Sequence, residues 1–193
     1  MPNKDETRPA ARHVLLTLPN LITLARLAMV PATIWLILQH RLDWAFAVFV
    51  AAGISDGIDG WLARVLDARS AMGALLDPLA DKALLVSVYV TLAATGVLPD
   101  WLAILVVFRD VVIVGGLGLL WMLGAREEVR PLAISKLNTF AQIALAALAL
   151  GARGFDLPWT LALDLLAWVV AATTLLSLLA YVGSAARRLR GVG

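Results

Sequence analysis

Long apolar segments are the feature that most constrains the fold of this chain. A helix of roughly 20 apolar residues crosses the ~30 Å hydrocarbon core of a bilayer, and several segments reach that length. With 61% hydrophobic and 16% charged residues, the chain has less polar surface than a soluble domain needs. The sequence predicts one all-α integral membrane domain, residues 1–193, with a short polar tail (1–18) and six transmembrane helices at about 20–39, 44–66, 72–94, 101–123, 132–150 and 160–182.

The distribution of lysine and arginine predicts the orientation of these helices. Six spans place both termini on one side, and cytoplasmic segments are enriched in basic residues. The other side holds only two, Arg41 and Arg153. Nine lie in the termini and the even-numbered connections: Lys4, Arg8, Arg12, Arg69, Arg126, Arg130, Arg187, Arg188 and Arg190. We therefore predict that both termini and the connection between the second and third helices are cytoplasmic.

Composition also excludes several functions. The chain has no cysteine, which rules out disulfides, thiolate catalysis and cysteine metal sites. A formal net charge of +2 is too small to indicate a nucleic-acid partner. The N-terminus lacks a basic region leading into an apolar core and a cleavage site, so we predict no signal peptide.

Charged residues concentrate where the second and third helices approach their connection. This group comprises Asp56, Asp59, Arg64, Asp77, Asp81 and Lys82. Residues three or four apart share a helix face, so the two aspartates of each helix project together, and an antiparallel hairpin lets the pairs face each other. Clustered carboxylates repel in a low dielectric and need cations. Ligands that are all oxygen suit Mg²⁺ or Mn²⁺, with Ca²⁺ as a further candidate.

Two glycines and an arginine accompany the carboxylates. Gly60 lies one turn beyond Asp56, and Gly73 lies one turn before Asp77. Without a side chain, each glycine allows a ligand or another backbone to come close. Arg64 offers a bidentate contact to a phosphate or a carboxylate. Solvated charges at a membrane surface are the alternative, but four aspartates at matched helical spacing favour a site.

The segment 56–81, DGIDGWLARVLDARSAMGALLDPLAD, resembles the CDP-alcohol phosphatidyltransferase family. Its motif, D-x2-D-G-x2-A-R-x8-G-x3-D-x3-D, is present without a departure, and the six-helix layout is similar to that of the family. The resemblance implies transfer from a CDP-linked lipid to an alcohol with release of CMP. It also implies that Asp56, Asp59 and Asp77 hold two metal ions, and that Asp81 completes this centre and acts as the base. Residues around the CDP moiety would be Gly60, Ala63, Arg64 and Gly73.

Three further strings are candidates for headgroup or acceptor contacts. The first opens the first helix with Asn20, Thr23 and Arg26, a pattern similar to openings in the family; a helix cap and a snorkelling arginine are the alternative. The second is Arg109-Asp110, within the fourth helix, for which a buried structural ion pair, with each charge meeting a partner on another helix, is the alternative. The third, at the start of the fifth helix, is Ser135, Lys136, Asn138 and Thr139, for which ordinary interfacial residues are the alternative.

The acceptor is predicted from the last two strings, which resemble those of eukaryotic-type cardiolipin synthases. The resemblance implies CDP-diacylglycerol as donor and phosphatidylglycerol as acceptor, with glycerol-3-phosphate as the alternative. A cation transporter is the non-enzyme alternative, but transporter sites usually lie near the bilayer midplane. We expect a bacterial inner membrane with the active site facing the cytoplasm. The resemblance is also compatible with a homodimer.

Overall fold

The computed structural model describes residues 18–65, 71–122 and 133–190, with side chains at 25, 27–55, 82–116 and 133–184. Within these ranges the chain forms six α-helices and no strand: α1 (Leu18–Leu38), α2 (Leu42–Val65), α3 (Ala71–Ala94), α4 (Asp100–Met122), α5 (Ala133–Gly154) and α6 (Thr160–Arg190). The all-helical prediction is confirmed. The predicted N-terminal tail falls almost wholly outside the described residues.

The helix ends differ from the predicted ones mainly at the C-termini of α5 and α6. Helix α6 continues to Arg190, eight residues past the predicted end, because alanine, leucine and arginine are good helix formers and outweigh the single Gly183. Helix α5 continues through Gly151 to Gly154, because a single glycine weakens a helix without ending it. Hydropathy marks where apolar residues stop, whereas the helix itself stops later.

Three helices end in the same type of cap at one end of the bundle, which we call the far end. The caps use His40, Gly96 and Asp156, whose φ angles are 56°, 72° and 51°. At the first, the Arg41 amide donates to the Leu36 carbonyl at 2.9 Å, the six-to-one bond of a Schellman motif. These caps turn α1 into α2, α3 into α4 and α5 into α6 within a few residues. The opposite end, where α2 ends and α3 begins, is the motif end.

Helix packing brings α1 and α5 against both α2 and α3. Within the described ranges, α2 and α3 each contact both α1 and α5. Helix α4 packs against α3 and α6, and α5 packs against α6. The buried core runs through all six helices and includes Ile37, Ala52, Val88, Leu102, Leu145 and Val170. Helices α2 and α3 therefore share two neighbouring helices.

Glycines on α5 allow the closest approach to α2, at the far end. A Cβ on Gly154 would lie 2.5 Å from the Asp43 amide nitrogen, and one on Gly151 would lie 3.3 Å from the Phe46 ring. That ring packs edge to face on Phe155, with centroids 5.8 Å apart. Glycine at 154 is required by this contact with backbone, since a side chain there would push α5 away from α2.

The outer surface of the bundle is apolar. Among the described residues, the helical stretches Ala133–Gly154 and Thr160–Ser184 are long and apolar enough to cross a bilayer, and Leu42–Ser55 and Lys82–Ala94 are shorter apolar stretches. Large apolar side chains follow one face of α4 and are exposed: Trp101, Ile104, Phe108, Val111 and Val114. An apolar surface of this extent is unfavourable in water. We conclude that the protein associates with a membrane.

Candidate active site

The four motif aspartates lie on two helices at matched distances from their connection. Asp59 precedes the end of α2 by six residues, and Asp77 follows the start of α3 by six residues. Asp56 and Asp81 lie nine and ten residues from those same ends. With a rise of 1.5 Å per residue, these levels are roughly 9 Å and 14–15 Å into the helices. The two aspartate positions of each helix therefore share one face of that helix, as the spacing predicts.

The carboxylates themselves, like all side chains of residues 56–81, lie outside the described side chains. The same holds for Gly60, Ala63 and Arg64 on α2 and for Gly73 on α3, which the backbone places on the motif-end halves of their helices. Asn20 and Thr23 belong to the first turns of α1, and their side chains are also outside that set. The contacts predicted for these residues stay predictions.

Next to the motif, a buried ion-pair network joins α3 to α4. Asp110 accepts from two cations: its Oδ2 lies 2.7 Å from Lys82 Nζ, and its Oδ1 lies 2.6 Å from Arg109 Nη1. The side chain of Asp110 is 8% exposed, that of Arg109 is 2% exposed, and that of Lys82 is 42% exposed. Because Lys82 directly follows Asp81, the network reaches the end of the motif.

The guanidinium of Arg109 extends the same network to α5 and α6. Its Nη2 donates to Ser135 Oγ at 2.5 Å and to Ser177 Oγ at 2.7 Å, while Nε donates to Ser177 Oγ at 3.3 Å. A buried cation is stable only when its donors are satisfied in this way. One buried guanidinium therefore ties together α4, α5 and α6. The predicted headgroup contact of Arg109 stays a prediction, and the geometry shows three partners within the protein.

The two acceptor candidates on α5 lie in different environments. Lys136 is exposed, whereas Asn138 is completely buried. The Oδ1 atom of Asn138 accepts hydrogen bonds from the hydroxyls of Thr173 and Thr174 on α6, both at 2.9 Å. Its Nδ2 is buried and has no acceptor among the described residues. Asn138 thus connects α5 to α6, and only Lys136 of the two is open to a ligand.

Sequence reasoning missed the hydroxyl residues of α6. Thr173, Thr174 and Ser177 are buried and supply the partners of Asn138 and Arg109. A signal was present, because three hydroxyl residues lie close together on an otherwise apolar helix, and such residues commonly form bonds between membrane helices. Lys82 belongs to the predicted charged cluster, but the sequence does not identify Asp110 on α4 as its partner.

The fold and the motif define an all-helical, membrane-associated protein with four motif aspartates on the same-end halves of α2 and α3. Comparison with known families gives the assignment: the model of the CDP-alcohol phosphatidyltransferase family matches residues 16–180. The chain belongs to this family. The match covers α1 to α5, about two thirds of α6 and the whole acidic motif, so the predicted resemblance is confirmed.

The curated relatives carry two kinds of name, one that states glycerol-3-phosphate and one that states cardiolipin. The chloroplastic CDP-diacylglycerol--glycerol-3-phosphate 3-phosphatidyltransferase 1 of Oryza sativa subsp. japonica is 36% identical over 202 residues, 93% of this chain and 61% of that protein. Human cardiolipin synthase (CMP-forming) is 32% identical over 181 residues, 86% of this chain and 60% of that protein. The Streptomyces coelicolor cardiolipin synthase (CMP-forming) is 39% identical over 122 residues, 60% of this chain and 56% of that protein. The chain thus spans less than two thirds of each relative.

Proposed function

We propose that this protein transfers a phosphatidyl group from CDP-diacylglycerol to an alcohol and releases CMP. The observation that carries the proposal is the family match over residues 16–180, which contains the complete motif. In the reaction, the alcohol oxygen attacks the phosphorus that bears the diacylglycerol. A new P–O bond forms, the P–O bond of the diphosphate breaks, and CMP leaves with the bonding electron pair.

Four aspartates are suited to hold the divalent cations that this chemistry requires. Asp56 and Asp59 on α2, and Asp77 and Asp81 on α3, supply oxygen ligands at matched levels of two helices, a donor set that fits Mg²⁺ or Mn²⁺. Two bound ions would stabilise the negative charge on the departing CMP and on the attacking oxygen. Of the four, we assign Asp81 as the base that takes the proton from the alcohol.

The remaining motif residues are suited to bind the nucleotide. Gly60, Ala63 and Gly73 have small or no side chains, which leaves room for a ligand beside the helices. Arg64 supplies a guanidinium that matches the geometry of phosphate oxygens. Because these residues lie on the same halves of α2 and α3 as the aspartates, donor binding and metal binding would share one region.

Phosphatidylglycerol is our proposed acceptor, so that the product is cardiolipin. The strings around Arg109 and Lys136 support this, as do the names of the human and Streptomyces coelicolor relatives. Glycerol-3-phosphate is the second candidate, favoured by the name of the rice relative, which matches 93% of this chain. The exposed ammonium of Lys136 is suited to meet the phosphate of either molecule.

We further propose that all six helices cross the membrane, with both termini and the motif end in the cytoplasm. The excess of basic residues in the termini and even connections supports this orientation, and the apolar outer faces support the spans. A bacterial inner membrane is the proposed location, with the whole chain as one domain. A homodimer stays a prediction that an oligomeric-state measurement can test.

An acceptor panel tests the proposal. The purified protein is given Mg²⁺ or Mn²⁺ and CDP-diacylglycerol, together with either phosphatidylglycerol or glycerol-3-phosphate, and both CMP and the lipid product are measured. We expect CMP release with phosphatidylglycerol and formation of cardiolipin. Product from glycerol-3-phosphate alone would overturn the acceptor but keep the reaction class. No CMP with any alcohol, with a cation-dependent flux in vesicles instead, would favour the transporter.

A further inference from the structure

The proposed reaction assigns no role to Asp110. It is buried on α4, and its two carboxylate oxygens bind different cations, Arg109 on its own helix and Lys82 on α3. We propose that Asp110 is a positioning residue: it holds Lys82, and through Lys82 the stretch of α3 that carries Asp77 and Asp81. This inference rests on the phosphatidyl transfer proposed above.

The carboxylate is itself fixed in orientation. Arg109 holds Oδ1 at 2.6 Å, and that guanidinium is in turn held by Ser135 on α5 and Ser177 on α6. Rotation of Asp110 would break ion pairs to both cations inside the bundle, where unpaired charges are costly. The oxygen that faces Lys82 is therefore anchored, through Arg109, by α5 and α6 as well as by its own helix.

Lys82 needs such an anchor because its side chain is long and 42% exposed. A lysine at this depth, without a partner, extends its ammonium group along the helix toward water. The 2.7 Å contact with Asp110 instead directs the ammonium group toward α4. Since Lys82 follows Asp81 in the same continuous helix, the contact limits both rotation and sliding of α3.

Rotation or sliding of α3 would displace Asp77 and Asp81 together relative to α2. Helices α1 and α5 each contact both α2 and α3, so the spacing of the two aspartate pairs depends on how these neighbouring helices pack. A displacement of about 1 Å can reduce turnover by about a hundredfold when reacting groups must be aligned. We infer that the Lys82–Asp110 pair helps set the alignment of the two aspartate pairs.

A double-mutant cycle tests the inference, using Asp110→Asn, Lys82→Met and the double variant. For each, CMP release is measured well below the melting temperature and normalised to folded protein, giving kcat and the KM for CDP-diacylglycerol. We expect each single variant to lose at least about tenfold in kcat with little change in KM. The double variant should be no slower than the slower single variant, because the Lys82–Asp110 contact is already lost in either single variant.

Two further variants complete the design. Lys82→Arg keeps a cation that reaches Asp110 and should restore most of the turnover lost in Lys82→Met. Asp164→Asn is the matched control: it also converts an aspartate in a membrane helix to asparagine, but Asp164 is exposed and has no ion pair among the described residues. Its kcat should stay at the level of the unaltered protein.

Two results would overturn the inference. Normal kcat in folded Asp110→Asn, even with a lower melting temperature, would show that the network serves stability alone. Losses that multiply in the double variant would show that Asp110 and Lys82 act separately. A protein with no CMP release before any substitution would instead overturn the proposed function, and this positioning role with it, so the two failures are distinguishable.

Discussion

Replacing Asn138 by alanine separates a structural role for this residue from a role in acceptor binding. The substitution removes the Oδ1 acceptor of the Thr173 and Thr174 hydroxyls, both at 2.9 Å, although Thr173 keeps the Val169 carbonyl as an acceptor, also at 2.9 Å. Side-chain bonds between membrane helices contribute about 0.6 kcal/mol each on average. The small void left at a completely buried position adds about 1 kcal/mol. Removal of the Nδ2 group, which is buried and has no acceptor among the described residues, relieves a desolvation penalty of about 1 kcal/mol and offsets part of this loss.

The net loss is about 1 kcal/mol, which corresponds to a melting temperature lower by roughly 2–4 °C for a chain of this length. The assay is thermal unfolding in detergent, followed by tryptophan fluorescence, with activity per folded protein measured alongside. Lys136→Ala is the matched control on α5. Because Lys136 is exposed, the melting temperature of this variant should change by about 1 °C or less, while its use of the acceptor falls. The reasoning is refuted if Asn138→Ala melts normally yet loses acceptor binding, since Asn138 would then contact the substrate.

Three further predictions concern packing, metal and topology. Gly154→Ala should lower the melting temperature, because its Cβ would lie 2.5 Å from the backbone of α2. Gly53→Ala is the control: nothing lies within 4 Å of its Cβ, so the better helix propensity of alanine should raise the melting temperature slightly. A similar shift in both variants would contradict the close contact of Gly154 with α2. Asp77→Asn should abolish CMP release without preventing purification, and excess chelator should abolish it in the unaltered protein; full activity in either case would exclude the metal role. Cysteines introduced at positions 3 and 192 should both be labelled only from the cytoplasmic side, and labelling from opposite sides would exclude six spans.

The helices were predictable because apolar runs of about 20 residues have few alternatives in a membrane protein. The end of α6 was not predictable from hydropathy, since the helix continues through a basic segment to Arg190. The aspartate spacing was equally informative: positions three or four apart share a helix face whatever the rest of the fold does. Local periodicity therefore gave the helices and the level of the candidate site within them.

Contacts between distant helices were not predictable in the same way. Lys82 and Asp110 pair because α3 packs against α4, and Arg109 reaches Ser177 because α4 packs against α6. Neither neighbour relation follows from the periodicity of a single helix. The sequence allowed a buried ion pair for Arg109 and Asp110, but the serines and the lysine that complete the network depend on the tertiary arrangement.

Of the residues around Arg109 and Lys136 on which the acceptor prediction rests, not all are free to contact an acceptor. Arg109 is 2% exposed and bound to Asp110, Ser135 and Ser177, so a direct contact with a lipid headgroup would require it to give up partners inside the bundle. Asn138 is similarly occupied by α6. Lys136 remains exposed, and a single ammonium group can bind the phosphate of phosphatidylglycerol or of glycerol-3-phosphate. Discrimination between them must therefore come from the shape of the access route and from whether it opens to lipid or to water, because charge alone at this position serves both acceptors.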